Sequence, residues 1–166
     1  MRPQAMPTRR ASPWKHSLRQ TFWIPLTTSS DPSVAMPTAV AVGATLPLVI
    51  CTAVIFWLSS IPALTPPNLG VSWSDKVYHA IAFLGYGWSI IMCLIGWRPA
   101  WPDRRVVAIV LCWGALFAMS DEWHQSMVVN RSAGWDDVTA DVFGLLLATA
   151  TLPLLRRLFA QLLRRP

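Results

Sequence analysis

Charge is what this sequence has least of: Lys, Arg, Asp and Glu make up 13% of 166 residues, against 54% for hydrophobic types. That balance is too apolar for a soluble domain of ordinary composition. Cysteine is also scarce, with only Cys51, Cys93 and Cys112 and no paired ligand spacing between them. This argues against a disulfide framework or a zinc site, and all three lie in apolar runs, where a thiol packs as a small apolar group. The sequence has no phosphate loop, no dinucleotide fingerprint, no G-x-S-x-G, no H-E-x-x-H and no internal repeat of useful length. These absences leave no residue marked as a nucleophile. Nor does a short apolar core with a small-residue cleavage site follow the basic N-terminal stretch, so that stretch does not read as a signal peptide.

Long apolar runs, by contrast, are plentiful. Thr38 to Leu58 holds 21 residues without a charge, enough for about 30 Å of helix and so for one membrane crossing. Further runs start at Val77, Val106 and Val138, and the last of them contains Asp141 before it stops at Arg156 and Arg157. The reading is an all-α integral membrane bundle of four transmembrane helices, near residues 38–58, 77–97, 106–127 and 138–155. Small residues at Gly85, Gly87, Gly114, Gly144 and Ala148 would let the helices approach closely. Trp57, Trp73, Trp97, Trp101 and Trp135 fall near the expected interfaces, where indole rings are favoured.

The formal charge of +6 raises nucleic acid as a partner, but the cations are segregated by segment rather than gathered into a patch. Five precede the first span, three lie between spans two and three, and four follow span four, leaving only Lys76 and Arg131 in the other two connections. Twelve against two places both termini and the loop around Pro99 to Arg105 in the cytoplasm by the positive-inside rule. No nucleic-acid partner is expected. Residues 1–37, with six prolines and five basic residues, read as a disordered cytoplasmic tail. A start at Met36 would leave every span intact. Residues 38–157 form the membrane domain, and 158–166 a short basic cytoplasmic tail.

The acids are gathered on the other side. Asp75, Asp121, Glu122, Asp136, Asp137 and Asp141 all lie on or near the outer face, six of the chain's eight carboxylates. The positive-inside rule does not demand this, because acids contribute little to orientation. Asp75 and His79 share a helix face four residues apart, and such a pair would orient the imidazole. Glu122 lies roughly one turn below the outer surface, with Asp121 and Gln125 in the same sector, while His124 points partly elsewhere. Asp141 lies one turn below Asp137. His79, Glu122 and Asp141 thus reach one depth on three helices, and ionisable groups at such depth face a bundle interior or a wet cavity and count as functional candidates. His79, Glu122, Asp137 and Asp141 are the candidate catalytic residues; Asp75, Lys76, Asp121, Gln125 and Arg131 are the candidate binding residues. Carboxylates with a histidine suit a divalent metal, acid–base chemistry, or a cationic or hydroxyl-rich head group. Arg131 suits a phosphate or carboxylate. The residues name no cofactor, and the metal question stays open.

DKVYHAIAF from Asp75 to Phe83, followed by SDEWHQSMVVNRSAGWDDVTADVFG from Ser120 to Gly144, resembles the VanZ-like membrane proteins. Their pattern runs D-K-x-x-H-x-x-x-[FY], D-E-x-x-Q, an outer-loop Arg and D-x-x-x-N-x-x-G. Asp75, Lys76, His79, Phe83, Asp121, Glu122, Gln125, Arg131, Asp137 and Gly144 match it in order, and the resemblance covers about residues 45 to 155. Asp141 stands where the pattern has Asn, and the loop SMVVN lacks the common Pro-Gly. The extra carboxylate requires a protonated Asp141, a bound cation or a wet cavity.

The resemblance implies a small all-helical domain in a bacterial cell (inner) membrane. It also implies an outward-facing envelope role, the founding member being linked to low-level resistance to the glycopeptide teicoplanin; it brings no agreed reaction. The expected partners are membrane lipids and a cell-wall or lipid-linked precursor whose head group the cluster binds or processes, with oligomeric state left open. Glu122 or Asp137 would serve as acid or base, His79 as a relay or ligand, and Arg131 and Lys76 as anion contacts. The alternative is a non-catalytic accessory or small permeation module whose acids only hydrate a vestibule and set helix register.

Overall fold

The computed structural model describes residues 37–163, so the tail expected over residues 1–37 lies almost entirely outside the described residues, as do residues 164–166. Among the described residues five helices follow one another: α1 (Thr38–Ser59), α2 (Ser74–Trp97), α3 (Asp103–Gln125), α4 (Trp135–Ala150) and α5 (Leu152–Leu163). No strand occurs among the described residues. Helices α1, α2 and α3 are each long and apolar enough to cross a membrane, and α4 and α5, bent by 50° at the break between them, are long and apolar enough only when taken together. The all-α membrane bundle expected from the sequence is the fold observed.

The fourth apolar run is divided at Thr151, and Pro153 supplies the reason. Proline has no N–H for the preceding turn, and its ring crowds the carbonyl four residues back. The break is satisfied locally: Thr151 Oγ1 donates to the Ala148 carbonyl at 2.8 Å and accepts from Trp88 Nε1 at 2.9 Å. Beyond the bend, helix continues through residues 158–163. Arg156 ties α5 to the α2–α3 connection by donating to the carbonyls of Pro99 at 2.9 Å and Trp101 at 2.6 Å and pairing with Asp103.

Helix α2 is the central element, packed most extensively on α4 and next on α1. Phe83, Tyr86, Ile90, Ile91 and Ile95 of α2 meet Val106, Val110 and Ala118 of α3 and Leu145 and Ala148 of α4 in one buried core. Small residues set the spacing, as polar-free membrane interfaces require. A Cβ on Gly144 would run into the Ala80 carbonyl and the Leu84 amide, so α4 lies backbone to backbone on α2; Gly87 faces Ala148, and Gly114 faces Leu145. Gly85 departs from the sequence reading, since its Cβ position faces open space.

Val42, Leu46, Val49 and Ile50 of α1, Leu116 of α3 and Phe143 and Leu146 of α4 point outward, giving the bundle an apolar surface for lipid. Trp57, Trp73, Trp97 and Trp135 are exposed near helix ends. Trp101 is half-buried and carries the Arg105 guanidinium 4.0 Å over its ring.

Candidate functional site

The residues that the sequence spreads over 67 positions, from Asp75 to Asp141, meet at one end of the bundle. The Gly144–Ala80 approach brings α4 against α2 one turn from Asp141, and this places Asp141 Oδ1 3.0 Å from His79 Nδ1. Glu122 Oε1 comes from α3 to 3.9 Å from the same nitrogen. His79 Nε2 faces Asp137 Oδ1 at 3.7 Å. One ligand-capable atom from each of His79, Glu122 and Asp141 lies within 4.8 Å of the others.

Each carboxylate has its own surroundings. Asp121 Oδ2 accepts from Ser59 Oγ of α1 and from Gln125 Nε2, both at 2.9 Å. Glu122 Oε1 accepts from Gln125 Nε2 at 3.2 Å, and Oε2 accepts from the Gly134 amide at 3.0 Å, which joins α3 to the entry of α4. Asp137 pairs with Lys76, which Asp75 and Asp136 also flank at 2.9 and 2.7 Å. Asp141 is fully buried, and its Oδ2 has no hydrogen-bond partner.

Two expected roles change. The sequence reading let Asp75 orient His79; instead Asp75 turns to Lys76, and Asp141 holds the ring. Lys76 was an expected anion contact, yet three carboxylates already surround it. Arg131 donates through Nη1 to the Leu64 carbonyl at 2.9 Å and through Nη2 to Gln125 Oε1, leaving Nε without a partner. These contacts, with the Ala63 amide donating to the Val129 carbonyl at 3.3 Å, lay the first connection over the second. His124 is directed away from the cluster, stacked on Phe56 at 4.7 Å between ring centroids and 3.0 Å from Ser60 Oγ.

Ser59, Asp136, Gly134 and the Leu64 carbonyl were not among the expected site residues. Ser59 and Leu64 carry no signal in the sequence, being an ordinary helix-end serine and a backbone group. Asp136 was legible as one of six outer acids, but helical spacing alone does not direct it to Lys76.

A cleft of about 510 Å³ opens beside the cluster. Asp121, Gln125, Arg131, His79 and Asp137 line its polar part; Ile55, Leu58, Ala82 and Phe83, with Pro66 and Pro67 of the first connection, line its apolar part. A second hollow, of about 350 Å³, reaches Glu122 from the side of Trp123 and Trp135.

Fold and site define a multi-pass helical membrane protein with a buried, acid-rich polar cluster at one end of the bundle. The sequence model of the VanZ/LLP1 family matches residues 9–156, and the chain belongs to that family. No curated protein and no solved structure matches it significantly.

Proposed function

We propose that the protein binds the polar head group of a membrane amphiphile, an envelope lipid or a lipid-linked cell-wall precursor, in the cleft beside His79, and that the carboxylate cluster acts on it. The observation that carries this reading is the composition of the cleft: one part offers Arg131, His79 and carboxylates, and the other offers Ile55, Leu58 and Phe83. A head group joined to acyl or prenyl chains has that same division, and ligand sites commonly combine an apolar lining with a few convergent polar groups.

In this reading the Arg131 guanidinium, which lines the cleft, contacts an anionic part of the head group. Glu122 or Asp137 gives or takes a proton, and His79, lying between Asp141, Glu122 and Asp137, relays it. Lys76 holds Asp137 in place. The reading takes this end of the bundle to face outward from a bacterial inner membrane, and the charge bias of the connections supports that. A contribution to glycopeptide resistance would follow through altered envelope head groups.

The test compares envelope lipids and wall precursors in a deletion strain, in the strain complemented with the natural chain, and in one complemented with Glu122→Gln at equal protein level. Glu122→Gln is expected to reproduce the deletion profile. A profile equal to that of the natural chain would refute a role for the cluster.

A further inference from the structure

We infer that His79, Glu122 and Asp141 form a binding site for one divalent transition-metal ion, with the Asp137 carboxylate facing the far side of the imidazole; the inference deepens the head-group reading above, rests on the same site, and leaves Asp137 as the group that exchanges a proton when the ion is bound.

Geometry comes first. Metal–nitrogen and metal–oxygen bonds of about 2.0–2.2 Å put neighbouring donor atoms about 3 Å apart and opposite ones a little over 4 Å apart. His79 Nδ1 lies 3.0 Å from Asp141 Oδ1 and 3.9 Å from Glu122 Oε1, and the three donors lie within 4.8 Å of one another. An ion at their centre needs a contraction of only a few tenths of an ångström. The donors come from α2, α3 and α4, so one ion would tie together three of the helices.

Charge points the same way. Asp121, Glu122, Asp137 and Asp141 are all buried, and with Asp75 and Asp136 six carboxylates on this side meet only two cations, Lys76 and Arg131. Lys76 is spent on Asp137, Asp75 and Asp136, and Arg131 donates to Gln125 and Leu64 rather than to an acid. Glu122 and Asp141 therefore have no fixed cation, and one divalent ion would balance that pair of carboxylates. Removing carboxylates from water without such compensation is costly.

The independent observation is Asp141 Oδ2. This atom belongs to a side chain with 0% exposure and has no partner, although its sister oxygen sits at hydrogen-bond distance from His79. A fully buried carboxylate oxygen with no donor is rare in a folded protein, and a metal ion held by both Asp141 oxygens would satisfy it. With Nδ1 on the metal, the opposite ring nitrogen keeps its proton and faces Asp137 Oδ1 at 3.7 Å, where the carboxylate favours that orientation of the ring by charge rather than by a hydrogen bond. One imidazole with two carboxylates suits Mn²⁺, Fe²⁺ or Zn²⁺ better than an all-oxygen ion. Because His79 lines the cleft, coordination positions on that side are left for water or a head-group oxygen.

The experiment titrates Mn²⁺ into the untagged, chelator-stripped full chain in detergent, reading free ion by electron paramagnetic resonance. One saturable Mn²⁺ per chain is expected. His79→Gln and Glu122→Gln should each weaken it by about 100-fold or more, since even an outer-shell partner accounts for about 10–100-fold. Asp136→Asn, which alters only the exposed side of the Lys76 cluster, should leave it unchanged. No saturable binding up to millimolar Mn²⁺, or binding that survives both ligand variants, overturns the site. The thermal midpoint of each variant in chelator guards against misfolding: a ligand variant that melts like the natural chain yet no longer binds supports the site. Failure here alongside an altered envelope in the Glu122→Gln strain removes the metal and keeps the head-group reading. Retained metal binding with an unaltered envelope does the reverse.

Discussion

His79 of α2 and Asp141 of α4, 62 residues apart in the chain, meet at 3.0 Å between Nδ1 and Oδ1. No local pattern produces this contact. It depends on Gly144, whose missing side chain lets α4 lie against the Ala80 carbonyl next to His79. Packing and site are therefore the same feature seen twice, because the tightest helix approach is what delivers a carboxylate to the imidazole.

Gly144→Ala should consequently lower stability by about 2–3 kcal/mol, in the range for forcing extra volume into a packed interface. Gly85→Ala should leave stability unchanged or slightly raised, since the new Cβ meets open space and alanine is the better helix former. Thermal unfolding in detergent, run side by side, checks both. Equal midpoints for the two variants would contradict the close approach of α2 and α4.

Asp141 offers a second contrast. In chelator, Asp141→Asn should melt at or above the natural chain, because it removes a buried charge with an unpartnered oxygen while keeping an acceptor for His79. Asp141→Leu should cost about 1–3 kcal/mol, because His79 then loses its closest partner. A loss of that size in Asp141→Asn would mean that the ionised carboxylate itself holds the fold.

Much of this was legible in the sequence. Span α1 follows from an uninterrupted apolar run of membrane length, α2 from one broken only by His79 and α3 from one that meets Asp121 and Glu122 towards its end, and the common depth of His79, Glu122 and Asp141 follows from counting residues along helices. The pairing of the imidazole did not follow. Spacing of four finds Asp75, a neighbour on the same helix, while the actual partner is chosen by how two helices pack. The bend at Thr151 was missed for a related reason: the run from Val138 to Leu155 has the composition of one span, and only the backbone demands of Pro153 divide it. Arg131 was legible as an outer cation, but its hold on the Leu64 carbonyl depends on how the first connection folds back.

Orientation can be read directly. In a chain with Cys51, Cys93 and Cys112 replaced by Ala, a cysteine at the exposed Ser126 position should react with an impermeant maleimide in intact cells. A cysteine at the exposed Ala100 position should react only after lysis. The reverse labelling would put the cluster on the cytoplasmic side and remove the envelope head group as its ligand.

The central claim, that the cleft beside the cluster selects one class of head group, is tested most directly by photocrosslinking in living membranes. A photoreactive residue replaces Ala82, which lines the cleft, or Leu146, which faces lipid on α4. Mass spectrometry should find the Ala82 adducts strongly enriched in one head-group class, with that enrichment lost on Arg131→Gln, while the Leu146 adducts follow the bulk membrane composition. Identical adduct profiles at the two positions would contradict the account.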